Sequence, residues 1–153
     1  MQIGELVARE CIRELVARYA HCADGGRFDE LVELFTAEGV LQTPDGVEHR
    51  GRAAIRAFLD GTGTALAGAT RARLIRHHVS SLRIEVTGAD AASGAAYFFV
   101  VTERGPDHWG RYRDRYTRVD GAWRFAHRRV GLDGYTPGSW VAERRGERST
   151  SGS

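Results

Sequence analysis

The 153-residue sequence lacks the features that would cross-link the chain or insert it into a membrane. It contains no apolar run of about 18 residues, which excludes a membrane-spanning helix. Its two cysteines, Cys11 and Cys22, lie on one predicted helix with about 16 Å of rise between them, too far apart for a disulfide. Glu5, Arg9 and Glu10 interrupt the pattern of a signal peptide. We therefore expect reduced thiols and a cytoplasmic location.

Lysine is absent from the sequence, so the 22 Lys and Arg positions are all arginine. We draw no function from this bias. The formal net charge is +2 and both signs are interspersed over most of the chain, so we expect no nucleic-acid-binding surface. No spacing of Cys and His matches a zinc site, and we expect neither a metal nor another cofactor. The length fits one domain, which can bury enough surface to fold without them.

Hydrophobic periodicity predicts helices in the first part of the chain and long strands in the second. The predicted helices span residues 2–22, 29–36 and 52–59, with a mobile loop or ragged helix end at 61–69. The predicted strands span residues 39–43, 47–50, 73–87, 91–104, 108–119 and 122–132. Turns separate the long strands, as at Asp120-Gly121 and at residues 105–107. This order indicates an α+β fold with an antiparallel meander, and residues 136–153 are predicted to be a flexible tail.

The first long strand contains a change of parity. Apolar residues occupy odd positions up to Val79 and even positions from Leu82 onward. An alternating strand keeps one face buried only if one residue near Ser80-Ser81 is extra. We therefore predict a β-bulge or a bend there, as strongly curved sheets require.

Several short strings resemble, in order and spacing, the SnoaL-like families of the NTF2-like superfamily. They are RFDEL at 27–31, GRAAIRAF at 51–58, RHHVSS at 76–81, GRYRDR at 110–115 and DGAWRF at 120–125. The resemblance covers about residues 3–132 and implies a domain at 1–135. Its fold would be a cone, in which a curved mixed sheet wraps around the long N-terminal helix, with two shorter helices. Scytalone dehydratase and bile acid 7α-dehydratase are superfamily members, so the resemblance implies a small-molecule pocket and a homo-oligomer, a dimer or a trimer.

The resemblance also implies a catalytic pair. In its dehydratase-like branch an Asp and a His at the positions of Asp24 and His77 meet in the cavity. A carboxylate that accepts the imidazole N–H fixes the tautomer and makes the other ring nitrogen a better base. The alternative is that Asp24 caps the second helix and that His77 is a hydrogen-bonded core or rim residue.

Tyr19 and Phe28 are further candidates near this pair. Tyr19 lies five residues before Asp24, a spacing that is similar to the bile acid dehydratase pattern. Its hydroxyl could donate to a substrate carbonyl or an enolate, or it could be an ordinary core tyrosine. Phe28, in the RFDEL string, is a candidate substrate-binding residue.

The third long strand alternates two kinds of side chain. Tyr112, Asp114 and Tyr116 share one face, and three arginines share the other. Because three arginines cannot face a core without great cost, the face with Tyr112 and Asp114 is predicted to be internal. Asp114 would be an acid–base group or half of a cross-strand ion pair. Arg129 on the last strand is predicted to pair with Asp114 or to hold a substrate anion.

Three functions fit these residues. The leading hypothesis is a cofactor-independent acid–base enzyme, a dehydratase, isomerase or cyclase, acting on a small hydroxylated or carbonyl-bearing cyclic molecule. The second is a non-catalytic protein that binds a small molecule in the same pocket. The third is an assembly partner that uses the convex face of the sheet.

Overall fold

The structure is a computed structural model that describes residues 1–70 and 74–150. In these ranges the helices are α1 (Ile3–Asp24), α2 (Phe28–Glu33), α3 (Arg52–Thr70) and α4 (Trp140–Thr150). The strands are β1 (Phe35–Gln42), β2 (Glu48–Arg50), β3 (Ile75–Gly88), β4 (Ala91–Thr102), β5 (Gly105–Val119) and β6 (Ala122–Tyr135). Residues 71–73 and 151–153, predicted as loop, strand start and tail end, lie outside the described residues.

The strands form one mixed, unclosed sheet in the order β2-β1-β6-β5-β4-β3. The four long strands pair antiparallel in sequence order, and β1 adds to β6 in parallel. Helix α1 packs against β3 and β6, and buries Ile12, Leu15 and Tyr19 in a cluster that includes Phe35 and Phe125. The predicted α+β fold, with a curved mixed sheet around a long N-terminal helix, is confirmed.

The predicted irregularity in β3 is present. The pairing of β3 with β4 shifts register between Ser80 and Arg83, and Ser81 has a φ of 52°. A left-handed backbone conformation is uncommon at a non-glycine residue, and here it coincides with the β-bulge. Strand β3 also contacts α1.

Helix α3 is longer than predicted, because it continues through the small residues at 61–69. Packing against α2 explains why one of these positions, Gly63, has no side chain. A Cβ there would lie 3.2 Å from the Phe28 ring, so the absent side chain lets α3 approach α2 closely. Residues 105–107, predicted as a turn, belong to β5 instead.

The C-terminal segment, predicted as a flexible tail, instead contains helix α4. Trp140 anchors it and is only 8% exposed. The Ser139 side chain accepts a hydrogen bond from the Ala142 N–H at 3.2 Å, as an N-cap residue does. A single buried tryptophan gives no periodic signal, which is why the sequence pattern did not reveal the helix.

No helix in the described ranges has the length and apolar character needed to cross a membrane.

Candidate functional site

Asp24 and His77 lie in direct contact. Asp24 is the last residue of α1, and His77 is near the start of β3. The His77 Nδ1 atom is 2.5 Å from Asp24 Oδ1, and the His77 backbone N–H donates to Asp24 Oδ2 at 3.0 Å. The side chains are 18% and 11% exposed. The predicted contact is confirmed, and the alternative of a helix cap is wrong, since the N-cap of α2 is Arg27 and no side chain caps it.

Of the two ring nitrogens of His77, one is held by a hydrogen bond and the other is not. The carboxylate of Asp24 holds Nδ1, which leaves Nε2 free of any hydrogen bond to another residue in the described ranges. His77 also lines a cleft of about 380 Å³ between α1 and β3, together with Arg13, His21 and the bulge at Ser81. The free ring nitrogen is therefore available to a molecule that enters beside β3.

The inner face of β5 is the one that was predicted. Tyr112, Asp114 and Tyr116 are buried, and Arg111, Arg113 and Arg115 are exposed. Asp114 accepts two hydrogen bonds from Arg128, at 2.9 Å from Nε and 2.7 Å from Nη2. The Tyr116 hydroxyl donates to the same carboxylate at 2.9 Å. Asp114 is thus half of a buried cross-strand ion pair.

The partner of Asp114 is Arg128 and not Arg129, so that prediction is wrong. The reason is an extra residue in β6. Arg115 pairs with His127 while Tyr116 pairs with Phe125, which leaves Ala126 unpaired as a bulge. The bulge moves Arg128 to the inner face and Arg129 to the exposed outer face, opposite Arg113.

Arg128 is the site residue that the sequence analysis missed. Its side chain is fully buried, and its guanidinium carbon lies 4.2, 3.9 and 4.3 Å from the ring centroids of Tyr19, Tyr112 and Phe125. Burial acts to lower the pKa of Arg128, but the Asp114 carboxylate outweighs burial and raises it. Its Nη1 has no hydrogen-bond partner among the described residues. The parity change between Phe125 and Val130 was the available signal.

The tyrosines around Arg128 remain protonated at neutral pH. Burial raises the pKa of Tyr19 and Tyr112, and the nearby Arg128 offsets this only in part. Tyr19 is 7% exposed and packs edge-on against Tyr112 at 6.2 Å between centroids. Phe28 is half-buried at the edge of the main core, with Arg56 over its ring. Tyr19 and Tyr112 therefore surround Arg128, whereas Phe28 lies at the α2–α3 contact.

A second Asp–His pair lies near the start of β5, where Asp107 was predicted in a turn and His108 in a strand. The His108 Nδ1 atom is 2.7 Å from Asp107 Oδ2, and the Trp140 N–H donates to Asp107 Oδ1 at 2.9 Å. Burial acts to raise the pKa of Asp107, but the hydrogen bonds from His108 and from the backbone at Trp140 and Val141 outweigh it and hold this pKa below its ordinary value. The sequence alone did not reveal Asp107 and His108 as a pair, because β5 begins earlier than predicted, at Gly105.

No group of three metal-ligating side chains converges within residues 1–70 and 74–150.

A family model for the SnoaL-like domain matches residues 4–129. The chain belongs to the SnoaL-like family. It is similar to a solved structure named "Putative Scytalone Dehydratase" from Novosphingobium aromaticivorans, with 25% identity, a TM-score of 0.77, and coverage of 89% of this chain and 91% of that one. An NTF2-like protein with a cystatin-like fold from the same organism is 29% identical, with a TM-score of 0.74 and coverage of 90% and 89%.

A third similar structure comes from Catenulispora acidiphila and is a complex with S-DNPA. It is 27% identical, with a TM-score of 0.73 and coverage of 84% of this chain and 95% of that one. None of the curated proteins matches the chain. The SnoaL-like chain therefore has the NTF2-like fold that its strings predicted, which the similar structure also describes as cystatin-like.

Proposed function

We propose that this SnoaL-like protein is a cofactor-independent acid–base enzyme. Its candidate reactions, in order of preference, are those of a dehydratase, an isomerase and a cyclase. Its substrate would be a small cyclic molecule that carries a hydroxyl or a carbonyl group. The observation that carries the proposal is the contact between Asp24 and His77, in which one ring nitrogen is bound and the other is free. The name of the similar dehydratase structure supports the reaction class, and the complex with S-DNPA supports a small-molecule ligand.

The geometry gives each group of the pair a separate task. Asp24 accepts the Nδ1–H of His77, so that the neutral ring has its lone pair on Nε2. That nitrogen can remove a proton from the carbon next to a carbonyl. The bond from the His77 backbone N–H to the same carboxylate keeps Asp24 in place during the transfer.

We assign two buried donors to the oxygen that gains charge in such a reaction. Tyr19 keeps its proton because burial raises its pKa, and Arg128 Nη1 has an unused N–H among the described residues. Preorganised donors in a site without water stabilise an enolate strongly. We assign Tyr19 to this role, with Tyr112, Asp114 and Arg128 as the surrounding frame.

The test compares Asp24→Asn and His77→Gln with the wild type on a panel of cyclic ketones. Deuterium uptake from D2O next to the carbonyl, followed by NMR, reports proton removal without requiring the natural substrate. We expect both variants to lose about 10²–10⁴-fold, the usual contribution of a general base. His78→Gln is the matched control, because His78 is the next residue of β3 and its side chain is exposed. Loss of exchange in the control as well would contradict the assignment.

The alternative is a non-catalytic binding protein. It is favoured by the apolar part of the cleft beside α1 and β3, which Val16, Val79 and Leu82 line. In that case ketones of the panel would bind, as seen by chemical-shift changes, and the wild type would exchange no protons above the buffer rate.

We also propose a cytoplasmic homo-oligomer that assembles through the outer face of the sheet. Tyr97, Phe99 and Trp109 are 58%, 38% and 38% exposed, and they lie on adjacent strands, where Phe99 faces Trp109. An exposed aromatic patch of this kind is typical of an interface. The two cysteines are free thiols, as expected in a reducing compartment. Light scattering of the wild type and of Tyr97→Glu would decide, since a dimer or trimer is expected to dissociate in the variant.

A further inference from the structure

The cleft of about 380 Å³ between α1 and β3 is bounded by a hydrogen bond at each end. The His77 backbone N–H donates to Asp24 at one end, and the Arg9 side chain donates to the Ile84 carbonyl oxygen at the other. The volume of the cleft lies in the range of small-ligand sites. A small molecule can therefore enter between these two contacts.

The lining of this cleft is basic. Among the described residues that line it, the charged or titratable side chains are Arg13, His21 and His77, and none is an aspartate or a glutamate. The Asp24 carboxylate beside the cleft already accepts two hydrogen bonds from His77. A cleft lined by charges of one sign attracts the opposite sign, so the lining favours a ligand with an anionic group.

Arg13 is the strongest candidate to bind that group. Arg9, one turn earlier on α1, forms an ion pair with Glu5 at 2.7 Å. Arg13, by contrast, forms no ion pair and no hydrogen bond through its side chain with a residue in the described ranges. A guanidinium binds a carboxylate through two parallel N–H···O bonds. The N–H groups of Arg13 are thus left for a molecule in the cleft.

The bulge in β3 places two serines beside the same cleft. Adjacent residues of a regular strand point to opposite faces, yet Ser80 and Ser81 both line the cleft. They lie where the pairing with β4 shifts register and where Ser81 has a φ of 52°. Neither hydroxyl is hydrogen-bonded to another residue of the described chain. Bulges often re-aim a side chain next to a functional site, and here they leave two hydroxyl donors for an anion.

Arg13 and His77 lie towards opposite ends of the cleft. Eleven residues of α1 separate Arg13 from Asp24, about 16 Å of helical rise, and Asp24 is the residue that holds His77. On β3, Ser81 is about 13 Å beyond His77 along the strand. Since the Arg13 and His77 side chains extend towards a ligand from these points, the groups they bind are expected to be roughly 10 Å apart.

We propose that Arg13, together with Ser80 and Ser81, anchors a carboxylate of the substrate, while a ring at the other end of the molecule meets Nε2 of His77. For its reacting end this inference rests on the proposed function. It narrows the substrate class to elongated cyclic molecules whose carboxylate is roughly 10 Å from the reacting carbon. One guanidinium balances one negative charge, so a carboxylate fits this end better than a phosphate dianion does. Arg13 binds the substrate and takes no part in proton transfer.

The experiment compares a charged ketone with its neutral equivalent. The probes are 6-(4-oxocyclohexyl)hexanoate and its primary amide, and deuterium uptake next to the carbonyl gives KM and kcat for each. We expect the wild-type KM to be about tenfold lower for the acid than for the amide, as hydrogen bonds to a charged group allow. Arg13→Gln is expected to raise the KM of the acid to that of the amide. Its kcat should stay within about twofold, because an anchor distant from the reacting carbon contributes uniform binding.

Arg18→Gln is the matched control. Arg18 is also an exposed arginine of α1, but it is not among the residues that line the cleft. We expect this variant to keep the preference for the acid. An equal loss of preference in Arg18→Gln would show a general effect of net charge and would overturn the site at Arg13.

A second probe tests the distance. In 4-oxocyclohexanecarboxylate the carboxylate is attached directly to the ring, so it cannot reach Arg13 while the ketone is at His77. We expect this short acid to gain no more than about twofold over its own amide, since exposed charge pairs contribute little. A short acid that gains as much as the long one would overturn the proposed span.

The outcomes also separate this inference from the proposed function. A wild-type protein that exchanges the protons of the acid and the amide with equal KM would overturn the anion site and leave the role of His77. A wild-type protein that exchanges neither would overturn the proposed function. In that case NMR chemical-shift changes on adding the long acid, present in the wild type and lost in Arg13→Gln, would support the anion site independently, and their absence would overturn it as well.

Discussion

The pair of Asp114 and Arg128 is the most deeply buried charge in the described structure, with both side chains at 0% exposure. Removing one partner of a buried pair leaves the other charge without compensation, which typically costs about 3–5 kcal/mol. We expect Asp114→Ala to lower the free energy of unfolding by that amount, as measured by urea denaturation. Three rings around the guanidinium recover some energy through cation–π contacts, but they cannot replace a carboxylate.

The control at this scale is an exposed pair on the same two strands. Arg111 and Asp133 lie 2.9 Å apart with side chains 52% and 39% exposed. Exposed ion pairs contribute about 0–1 kcal/mol, so Asp133→Ala is expected to change stability little. If Asp114→Ala were no more costly than Asp133→Ala, the buried pair would not be a main support of the sheet.

Strand β5 contacts β6 without room for a side chain at Gly110. A Cβ built there would lie 1.9 Å from the carbonyl oxygen of Gly131, and a backbone oxygen cannot rotate away. Gly131 itself is permissive, because its Cβ would meet its nearest neighbour, the Arg111 carbonyl oxygen, at 3.7 Å.

We therefore expect opposite results from two equivalent substitutions. Gly110→Ala would force the strands apart and cost at least about 1–3 kcal/mol, as overpacking does. Gly131→Ala would stay within about 0.5 kcal/mol of the wild type, as substitutions without a clash do. Thermal unfolding of both variants measures the difference. Equal melting temperatures would show that β5 and β6 can move apart at Gly110 without loss of stability.

The elements also show what a single sequence can predict. The bulge in β3 was predictable, because apolar residues change parity on either side of it. The bulge in β6 produces the same signal between Phe125 and Val130, but charged residues fill the gap, so Arg129 was chosen instead of Arg128. Helix α4 depends on one buried residue, Trp140, and on contacts with β5 that are distant in sequence.

Across the whole molecule, the predictable part of the site is the part that a family pattern covers. Asp24 and His77 are 53 residues apart, and only the resemblance brought them together before the fold was known. Asp107 and His108 are adjacent, yet their arrangement depends on the N-terminus of α4, which closes against the start of β5. The residues around Asp107 and His108 in the sequence gave no indication that the Trp140 backbone N–H would be their third partner.

The link between α4 and the sheet gives the protein a pH-dependent stability. The pKa of Asp107 is lower in the folded protein than its ordinary value, mainly because hydrogen bonds to the charged carboxylate outweigh its burial. A folded state that binds fewer protons gains stability as the pH rises. The contribution of Asp107 is therefore fully present above about pH 4, the ordinary range of an aspartate, and it is lost as the pH falls through the folded pKa.

Asp107→Asn removes this contribution at every pH. We expect the variant to be less stable than the wild type by about 1–3 kcal/mol at pH 5, the usual value of hydrogen bonds to a charged group. The difference is expected to shrink as the pH is lowered towards 3, because the unfolded wild-type chain then binds a proton at Asp107 that the folded protein binds less readily. Urea unfolding of both proteins between pH 5 and pH 3 measures it, with Asp133→Asn as the exposed control. A difference that stays constant over this range would show that Asp107 contributes through packing and not through its charge.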